Sequence, residues 1–255
     1  MIKYLILLIL VCFTEGTSAA SHLDKVIQNK RLNVCTTGDY LPYTLKKADG
    51  SYAGIDISMA QSLARSLDAK INWVPVSWKT LMADFQAQRC DIAVGGVSVT
   101  LRRQQQVWFS DRLNTDGKIP LVRCTDKQKY QTIEQLNKPG VHLIEPAGGT
   151  NEAFVRTHLP RGYLTLFPDN VTIFQQLVDN KADVMITDAS EAQFQIRHYP
   201  KLCALNPDKP LQYAEKAYML PRDDISWKLY VDQWLHLSKA TGEYRLISSQ
   251  WITTS

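Results

Sequence analysis

Blocks of apolar residues alternate with mixed blocks along this chain, and their spacing predicts strands and helices in turn. Short apolar-rich runs at 32–36, 71–76 and 91–97 predict buried strands. Between them, 55–69 and 78–88 carry apolar side chains at helical spacing. This strand–helix order predicts α/β layers built around a mostly parallel sheet.

The second half of the chain repeats the pattern. Strands are predicted at 118–124, 140–144, 163–167 and 182–187, and helices at 151–158, 171–179, 189–197 and 224–251. No linker rich in proline, glycine or serine separates the halves, so we expect two α/β lobes without a flexible connection. Ligands of open α/β lobes bind beyond the carboxyl ends of the strands, and functional residues are therefore expected in the loops that follow them.

The first twenty residues have the features of a secretory signal peptide. Lys3 gives a positive start, 4–13 is almost wholly apolar, and Ser18, Ala19 and Ala20 form a small-residue cleavage site. The apolar run of roughly ten residues is too short to span a bilayer, and a retained anchor is the alternative. We expect cleavage after Ala20, which leaves the net charge at +4. The mature chain is then exported, without membrane insertion.

Composition and motifs exclude several function classes. The chain has 255 residues, of which 45% are hydrophobic and 21% charged, as in ordinary globular proteins. The net charge is small and no run of five like charges occurs, so nucleic-acid binding is not expected. CxxC, HExxH, GxGxxG and GxxxxGK[ST] patterns are absent, which argues against zinc and nucleotide sites. We expect no metal and no organic cofactor, and no defensible Ser/His/Asp order supports nucleophilic hydrolysis.

Four cysteines follow the signal peptide: Cys35, Cys90, Cys124 and Cys203. An oxidising compartment permits disulfides, but sequence does not determine their pairing. We predict a Cys124–Cys203 bond, because both residues have loop-like, polar surroundings. Cys35 and Cys90 lie in or beside apolar strands and are interpreted as small core residues.

Two loops after predicted strands carry features suited to an anionic ligand. In the first, Thr100 is a good helix N-cap, so Arg102 and Arg103 fall in the first helical turn. A bound carboxylate would offset their unfavourable interaction with the helix dipole. In the second, Gly148 and Gly149 precede a helix and let backbone N–H groups approach an anion. Solvated arginines and an ordinary glycine-rich turn are the alternatives.

A third loop contains the carboxyl groups of Asp188 and Glu191. Their spacing is typical of a helix-capping pattern, and the functional alternative is a carboxylate pair at the mouth of a cleft. In that case Asp188 could hold an ammonium group, and Glu191 could hold a proton if burial and Asp188 raise its pKa. Tyr40, Tyr43 and Trp78 follow predicted strands and offer either aromatic walls or core packing.

The signal peptide, the two lobes and the segment 91–110 resemble the periplasmic amino-acid-binding proteins of ABC transporters with type II topology. Within that group, the chain is most similar to the secreted cyclohexadienyl dehydratases, also called arogenate/prephenate dehydratases. The stretches that carry this closer match are 36–40, 148–152, 168–176 and 214–223. The resemblance extends over about 23–252, essentially the whole mature chain.

The resemblance implies an α/β fold in which a second lobe is inserted into the first. Lobe 1 would be 21–118 and 212–255, lobe 2 would be 119–211, and the ligand cleft would lie between them. It also implies a role for each candidate site residue. Arg103 binds a carboxylate of the ligand, with help from Ser98, Thr150 and Asn151, and Asp188 binds an amino group. Tyr40 and Trp78 pack on the two sides of the ligand, and Glu191 is the general acid.

One departure separates the chain from the binding proteins. Many of them have serines where this chain has Gly95 and Gly96. The loss of two hydroxyl groups weakens the case for a plain amino-acid binder, and we expect it to make room at Gly96 for a bulkier, ring-carboxylated ligand.

The function that this resemblance implies is decarboxylative dehydration of prephenate to phenylpyruvate and of arogenate to phenylalanine. Hydroxide is a poor leaving group, so its protonation is the main catalytic need, which we assign to Glu191. Arg103 would anchor the side-chain carboxylate. The alternatives are a non-catalytic amino-acid-binding protein of an ABC importer and a sensor lobe that acts through a separate partner. The preference between the two substrates and the oligomeric state do not follow from the sequence.

Overall fold

The computed structural model describes residues 20–252. The predicted signal peptide therefore lies, apart from Ala20, outside the described residues. Within them, two large sheets and one small sheet are flanked by helices. Among residues 20–252, no helix has the length and apolar character needed to cross a membrane.

The first part of the chain begins with a short helix and alternates strands and helices up to residue 109. Its elements are α1 (His22–Asn29), β1 (Arg31–Thr36), β2 (Asp39–Tyr40), β3 (Thr44–Lys46), β4 (Tyr52–Ala53), α2 (Ile55–Ser66), β5 (Lys70–Pro75), α3 (Leu81–Gln86), β6 (Ile92–Ala93), α4 (Leu101–Gln104) and β7 (Trp108–Phe109).

The remainder of the chain forms a second set of strands and helices and ends in two helices. Its elements are β8 (Asn114–Arg123), a short 3-10 helix (Cys124–Asp126), α5 (Ile133–Leu136), β9 (His142–Pro146), α6 (Thr150–His158), β10 (Tyr163–Phe167), α7 (Ile173–Val178), β11 (Val184–Asp188), α8 (Ala189–Gln195), β12 (Leu202–Ala204), β13 (Gln212–Lys216), β14 (Met219–Leu220), α9 (Ile225–Ala240) and α10 (Glu243–Ser249).

The two large sheets define two lobes. The first has the order β5-β1-β6-β14-β7, and the second has the order β10-β9-β11-β8-β12 with β13 also paired to β8. We call the first sheet with its helices lobe 1 and the second sheet with its helices lobe 2. Because β14 returns to the first sheet after the second is complete, lobe 2 is inserted into lobe 1, as expected.

The expectation of mostly parallel sheets holds for three neighbouring strands in each lobe. Strands β5, β1 and β6 are parallel, as are β10, β9 and β11. In contrast, β14 is antiparallel to β6 and β7, and β8 is antiparallel to β11, β12 and β13. The parallel strands all end at the cleft between the lobes, which places their following loops there.

The element boundaries differ from the sequence prediction where strands are short or a helix is interrupted. The pattern predicts only turns where β2, β3 and β4 form a small antiparallel sheet, because strands of two or three residues show no measurable alternation. It predicts one helix over 224–251, whereas Gly242 adopts a φ of 85° and separates α9 from α10.

The cysteines form two disulfides. The predicted Cys124–Cys203 bond is confirmed. The interpretation of Cys35 and Cys90 as unbonded core residues is wrong: both are buried, but they are bonded to each other. Cys35 lies on β1 and Cys90 just before its neighbour β6, and the order of strands in a sheet, which brings them together, cannot be inferred from their apolar surroundings alone.

Packing between helices and sheets holds the ends of the strands in place. In lobe 1, Leu63 of α2 and Trp227 of α9 pack in one cluster with Leu32 of β1. In lobe 2, Phe174 of α7 packs with Ile119 of β8. Each fully buried apolar side chain contributes about 1.5–3 kcal/mol, so these clusters give the loops at the cleft a rigid base.

Candidate functional site

A cavity of about 290 Å³ lies between the lobes, at the carboxyl ends of the parallel strands. Seven predicted ligand contacts line it: Tyr40, Trp78, Gly96, Ser98, Thr150, Asn151 and Asp188. Pro146, Gly149, Asn170 and Lys216 complete the lining. The side chains of Arg103 and Glu191 stand outside this lining.

Hydrogen bonds join the two lobes across the cleft. The Tyr40 hydroxyl of lobe 1 donates to Asp188 Oδ2 of lobe 2 at 2.5 Å. Asn170 Nδ2 of lobe 2 donates to the Asp39 carbonyl of lobe 1 at 3.0 Å. The Asn170 amide oxygen is buried and has no hydrogen-bond partner among the described residues. It is therefore a free neutral acceptor in the cavity wall.

Two buried lysines hold the Asp188 carboxylate. Lys118 Nζ lies 2.8 Å from Asp188 Oδ1, and Lys216 Nζ lies 2.5 Å from Oδ2. Burial opposes the ionisation of Asp188, but the two ammonium groups outweigh it and hold its pKa well below the usual range. The place where the resemblance implies a substrate amino group is thus already taken by cations of the protein.

Sequence reasoning missed both lysines, although each left a signal. Lys118 opens a predicted apolar strand, and Lys216 lies inside one of the stretches that carry the family resemblance. Both are at most 1% exposed, and lysine is almost never fully buried unless it is paired. A lysine at a core position of a strand is therefore a reason to look for a buried carboxylate nearby.

The ammonium group of Lys118 also engages the start of α6. It donates to Thr150 Oγ1 at 2.9 Å and to Asn151 Oδ1. These two side chains were expected to assist in carboxylate binding, and in the structure they bind the lysine. The backbone N–H groups of the first turn of α6 have no intrahelical acceptors and lie at the cavity beside Gly149. They remain suited to an anion.

Glu191 is fully buried one side chain behind the cavity wall. Thr187 Oγ1 donates a hydrogen bond to Glu191 Oε2, and Asn151 Nδ2 donates in turn to Thr187 Oγ1 at 3.3 Å. Glu191 Oε1 has no partner among the described residues. Burial, reinforced by the Asp188 charge and opposed by the Thr187 bond, raises the pKa of Glu191 from 4.5 to about 8. The carboxyl group is therefore protonated at neutral pH.

The helix-capping alternative for this loop is wrong. Asp188 occupies the N-cap position of α8, but its side chain makes no capping hydrogen bond. It bonds the lysines and Tyr40 instead. The Glu191 side chain turns to Thr187 and not to the N-cap backbone. Asp188 therefore lies in the cavity lining, and Glu191 is buried outside it.

Arg103 is a half-buried cation without a carboxylate partner. Thr100 accepts a hydrogen bond from the Arg103 backbone at 3.1 Å, which confirms it as the N-cap of α4. Arg103 Nη1 donates to the Ser98 carbonyl at 2.8 Å. Burial lowers the pKa of Arg103 to about 10, with Asp188 opposing, so it stays charged at neutral pH. Among residues 20–252 it forms no ion pair, which suits a carboxylate ligand.

The glycines after β6 do not make room for a ligand, and that expectation is corrected. A Cβ at Gly96 would lie 2.6 Å from the Tyr43 ring and 2.7 Å from the Tyr40 ring. The amides of Gly95 and Gly96 donate to Asp56 Oδ2 at 2.9 and 2.7 Å. Both glycines have positive φ, so they form a turn that holds an internal carboxylate under two tyrosines.

Aromatic rings form the lobe 1 wall of the cavity. Tyr40 meets Trp78 edge to face with ring centroids 5.4 Å apart, and stacks on Tyr43 at 5.9 Å. Trp78 Nε1 donates to Asp39 Oδ1 at 3.0 Å. Tyr43 is buried behind Tyr40 and does not line the cavity. This wall offers a flat apolar surface for a ring, while the lobe 2 side supplies the charged groups.

The comparison with known proteins agrees with this architecture. Residues 32–254 match the bacterial extracellular solute-binding proteins, family 3. The chain belongs to this family. Within residues 20–252, His, Cys, Asp and Glu side chains form no group that could hold a metal ion.

One curated relative is the cyclohexadienyl dehydratase of Pseudomonas aeruginosa, which is 46% identical over 99% of this chain and 94% of its own length. Among solved structures, an ancestral cyclohexadienyl dehydratase is 45% identical, with a TM-score of 0.58 over 92% of this chain and 97% of that one. An ancestral amino-acid-binding protein, described as a precursor of cyclohexadienyl dehydratase, is 29% identical, with a TM-score of 0.83 over 91% and 99%. The fold is thus the two-lobed type II fold of periplasmic binding proteins.

Proposed function

We propose that this chain is an exported cyclohexadienyl dehydratase, which converts prephenate to phenylpyruvate and arogenate to phenylalanine. The observation that carries the proposal is Glu191, a fully buried carboxyl group that keeps its proton and is linked through Thr187 to Asn151 of the cavity lining. The 46% identity to a cyclohexadienyl dehydratase over 99% of the chain supports the same activity.

The reaction requires one proton and neither oxidant nor reductant. In the prephenate dianion, the ring carboxylate leaves as carbon dioxide and its bonding electrons complete the aromatic ring. Hydroxide leaves from the opposite ring carbon and takes up a proton to become water. Phenylpyruvate, carbon dioxide and water together balance the dianion plus that proton. Delivery of the proton in the transition state is the main catalytic task, because hydroxide is a poor leaving group.

Glu191 has the hydrogen bonding of an acid that donates from one oxygen. The Thr187 hydroxyl bonds Oε2, and Oε1 has no protein partner among residues 20–252, so the mechanism places the donated carboxylic proton on Oε1. An acid with a pKa of about 8 is both protonated and able to donate near neutral pH. The proposal requires the ring hydroxyl to reach Oε1, one side chain beyond the present wall.

Cationic and dipolar groups supply anchors for the substrate carboxylates. Arg103 is a guanidinium of lobe 1 that forms no ion pair within residues 20–252, and the first turn of α6 presents N–H groups without intrahelical acceptors from lobe 2. If Arg103 binds one substrate carboxylate and the first turn of α6 binds the other, the substrate ring is fixed against Tyr40 and Trp78. Carbon dioxide, water and an aromatic ring then form without a metal or organic cofactor, because these side chains provide the proton and the orientation.

We place the protein in the periplasm after removal of residues 1–20. Its family is described as extracellular, and two disulfides are typical of an oxidising compartment. Helix α1 begins at His22 with Ser21 as N-cap, directly after the proposed cleavage site. We also keep the lobe boundaries near 118 and 212 as a proposal, since the paired strands β8 and β13 carry the chain between the lobes there.

An amino-acid carrier for an ABC importer is the second candidate, favoured by the close superposition on an ancestral amino-acid-binding protein. A carrier needs no acid in its wall, whereas a protonated carboxyl group with an unpartnered buried oxygen has a desolvation cost. A catalytic role of the Glu191 proton would account for this desolvation cost. Glu191 therefore favours the dehydratase.

The test compares purified wild-type protein with Glu191→Gln, using prephenate and the absorbance of phenylpyruvate. We expect wild-type turnover and a fall in kcat of about 10²–10⁴-fold in the variant, the usual contribution of a general acid. Glu134→Gln, the same change at an exposed position of α5, is the matched control and should be fully active. Activity of Glu191→Gln within a few-fold of wild type, with normal folding, would remove Glu191 from the mechanism.

A further inference from the structure

Residues 250–252, which follow α10, contact both lobes, and we call this segment the strap. Its backbone is tied to α10, because the amides of Trp251 and Ile252 both donate to the Ser248 carbonyl, at 3.0 and 2.8 Å. Helix α10 belongs to lobe 1, since Ile247 packs against the apolar cluster that α2, α9 and β1 form. The strap is therefore an extension of lobe 1.

On the lobe 1 side, the strap packs beside the aromatic wall of the cavity. Trp251 and Ile252 pack against the buried cluster of Tyr40, Tyr43 and Ile55. One member of that cluster, Tyr40, lines the interlobe cavity. The strap itself is absent from the cavity lining, so its two large side chains support the wall without facing the space that a ligand would occupy.

On the lobe 2 side, the same segment contacts helix α8 and the turn that follows it. The Trp251 ring lies 6.3 Å from the Phe194 ring, between centroids. Arg197 lies over the same Phe194 ring at 5.0 Å and donates from Nη2 to the Trp251 carbonyl at 2.5 Å. Ile252 lines one surface groove together with Ser190 of α8. The strap thus reaches from lobe 1 to both ends of α8.

Helix α8 carries Glu191 and is held from lobe 1 at two points. At its start, the N-cap Asp188 accepts a hydrogen bond from the Tyr40 hydroxyl at 2.5 Å. Near its end, Phe194 meets Trp251 of the strap. Glu191 lies between these points and is fully buried. Any displacement of α8 would therefore move the carboxyl group relative to a substrate that other elements hold.

We infer that, given the dehydratase activity proposed above, Trp251 is a positioning residue, which holds α8 against lobe 1 and so fixes the place of Glu191 relative to the cavity. It acts through the helix, because it does not line the cavity. The proposed carboxylate anchors, Arg103 and the first turn of α6, belong neither to the strap nor to α8. Loss of the strap should therefore slow the chemical step and leave substrate binding nearly unchanged.

The experiment measures kcat and KM for prephenate in Trp251→Ala. We expect kcat to fall by about 10- to 100-fold, because a displacement of roughly 1 Å can reduce a rate by that much, with KM within about three-fold of wild type. Trp251→Phe keeps a ring beside Phe194 and should restore most of the kcat. Arg65→Met is the matched control: it removes a surface contact to Glu243 of α10 within lobe 1, and it should leave both constants unchanged.

Two further measurements show whether the strap acts through α8 and its acid. In a Glu191→Gln background, Trp251→Ala should lower kcat by less than about two-fold, because the group that the strap positions is already absent. Hydrogen exchange does not depend on activity: amides of α8 should exchange at least about ten-fold faster in Trp251→Ala, and those of α7 at the wild-type rate. If Trp251→Ala does not fold, Arg197→Met removes the bond to the Trp251 carbonyl and takes its place.

The outcomes separate this inference from the proposed function. If wild type does not convert prephenate, the dehydratase activity is refuted, and the exchange of α8 still decides whether the strap holds the helix. If wild type is active but Trp251→Ala keeps its kcat within two-fold, the positioning role is overturned. Independent, multiplying effects of Trp251→Ala and Glu191→Gln on kcat would overturn it too, and an unchanged exchange rate of α8 would refute the strap itself.

Discussion

Asp188 and Glu191 are three residues apart, are both completely buried, and yet differ in protonation state. Asp188 has two ammonium groups and a phenol around its oxygens, and its pKa falls despite burial. Glu191 has one hydroxyl partner and an oxygen with none among the described residues, and burial raises its pKa to about 8. Burial alone does not decide the charge of a carboxyl group, because nearby opposite charges can outweigh the cost of burial.

Asp188 and Glu191 have different roles because their protonation states differ. A carboxylate that two lysines neutralise is a fixed structural and electrostatic element, and it holds both lobes through Tyr40. A neutral carboxylic acid whose O–H has no protein acceptor can donate its proton to a substrate. Groups whose environments move their pKa values apart are the usual arrangement at acid–base sites, and here the separation arises at the junction of β11 and α8.

Removing the charge of Asp188 is expected to lower the free energy of unfolding more than any other substitution proposed at this pair. Asp188→Asn leaves Lys118 and Lys216 buried without a counter-charge, and breaking such a buried pair costs about 3–5 kcal/mol of unfolding free energy. Urea unfolding at pH 7 measures it. Asp68→Asn is the matched control, because Asp68 pairs with Lys30 at the surface and such pairs contribute about 0–1 kcal/mol.

The same acid-to-amide change at Glu191 should have the opposite consequence for stability. The folded pKa of Glu191 lies above its unfolded value of 4.5, so the stability that it supports is complete below that pH and is lost as pH rises to about 8. Glu191→Gln removes this loss and should equal or exceed wild type in free energy of unfolding at pH 8.

A loss of unfolding free energy below about 1 kcal/mol in Asp188→Asn would contradict the contrast between the two groups.

Thr187→Val tests what sets the pKa of Glu191, and its expected effect is smaller than those of the two carboxyl substitutions. It removes the donor to Glu191 Oε2, the hydrogen bond that opposes the raised pKa. We expect a fall in kcat of about 10-fold through lost positioning, and a shift of the alkaline limb of the pH–rate profile to higher pH. Thr165→Val on β10, where the hydroxyl bonds His142, is the control. An unshifted alkaline limb in Thr187→Val would refute the link between the hydroxyl and the acid.

Sequence reasoning located part of the cavity from where loops must lie in parallel α/β sheets, and the family resemblance supplied the ligand roles of Ser98, Thr150 and Asn151. Tyr40, Trp78 and Asp188 follow strands that end at one cleft, and the periodic pattern was sufficient to find those strands. Thr100 was predicted as an N-cap from local chemistry alone, and the structure confirms it.

The missed features depend on strand order, which the pattern does not encode. Lys118 and Lys216 meet Asp188 because β8 lies between β11 and β13 in one sheet. Cys35 and Cys90 meet for the same reason in the other sheet. Gly96 was interpreted as ligand space, but the space above it is filled by two tyrosines from a loop that the pattern described only as a turn.

The most direct test of the account is the titration of the Glu191 carboxyl carbon by ¹³C NMR in the ligand-free protein, assigned by its loss in Glu191→Gln. The proposed mechanism requires a midpoint of about 8, so that the carboxyl group is protonated at neutral pH. A midpoint near 4.5, the value of an unperturbed glutamate, would show that the acid is ionised when the enzyme works and would contradict the proposed mechanism.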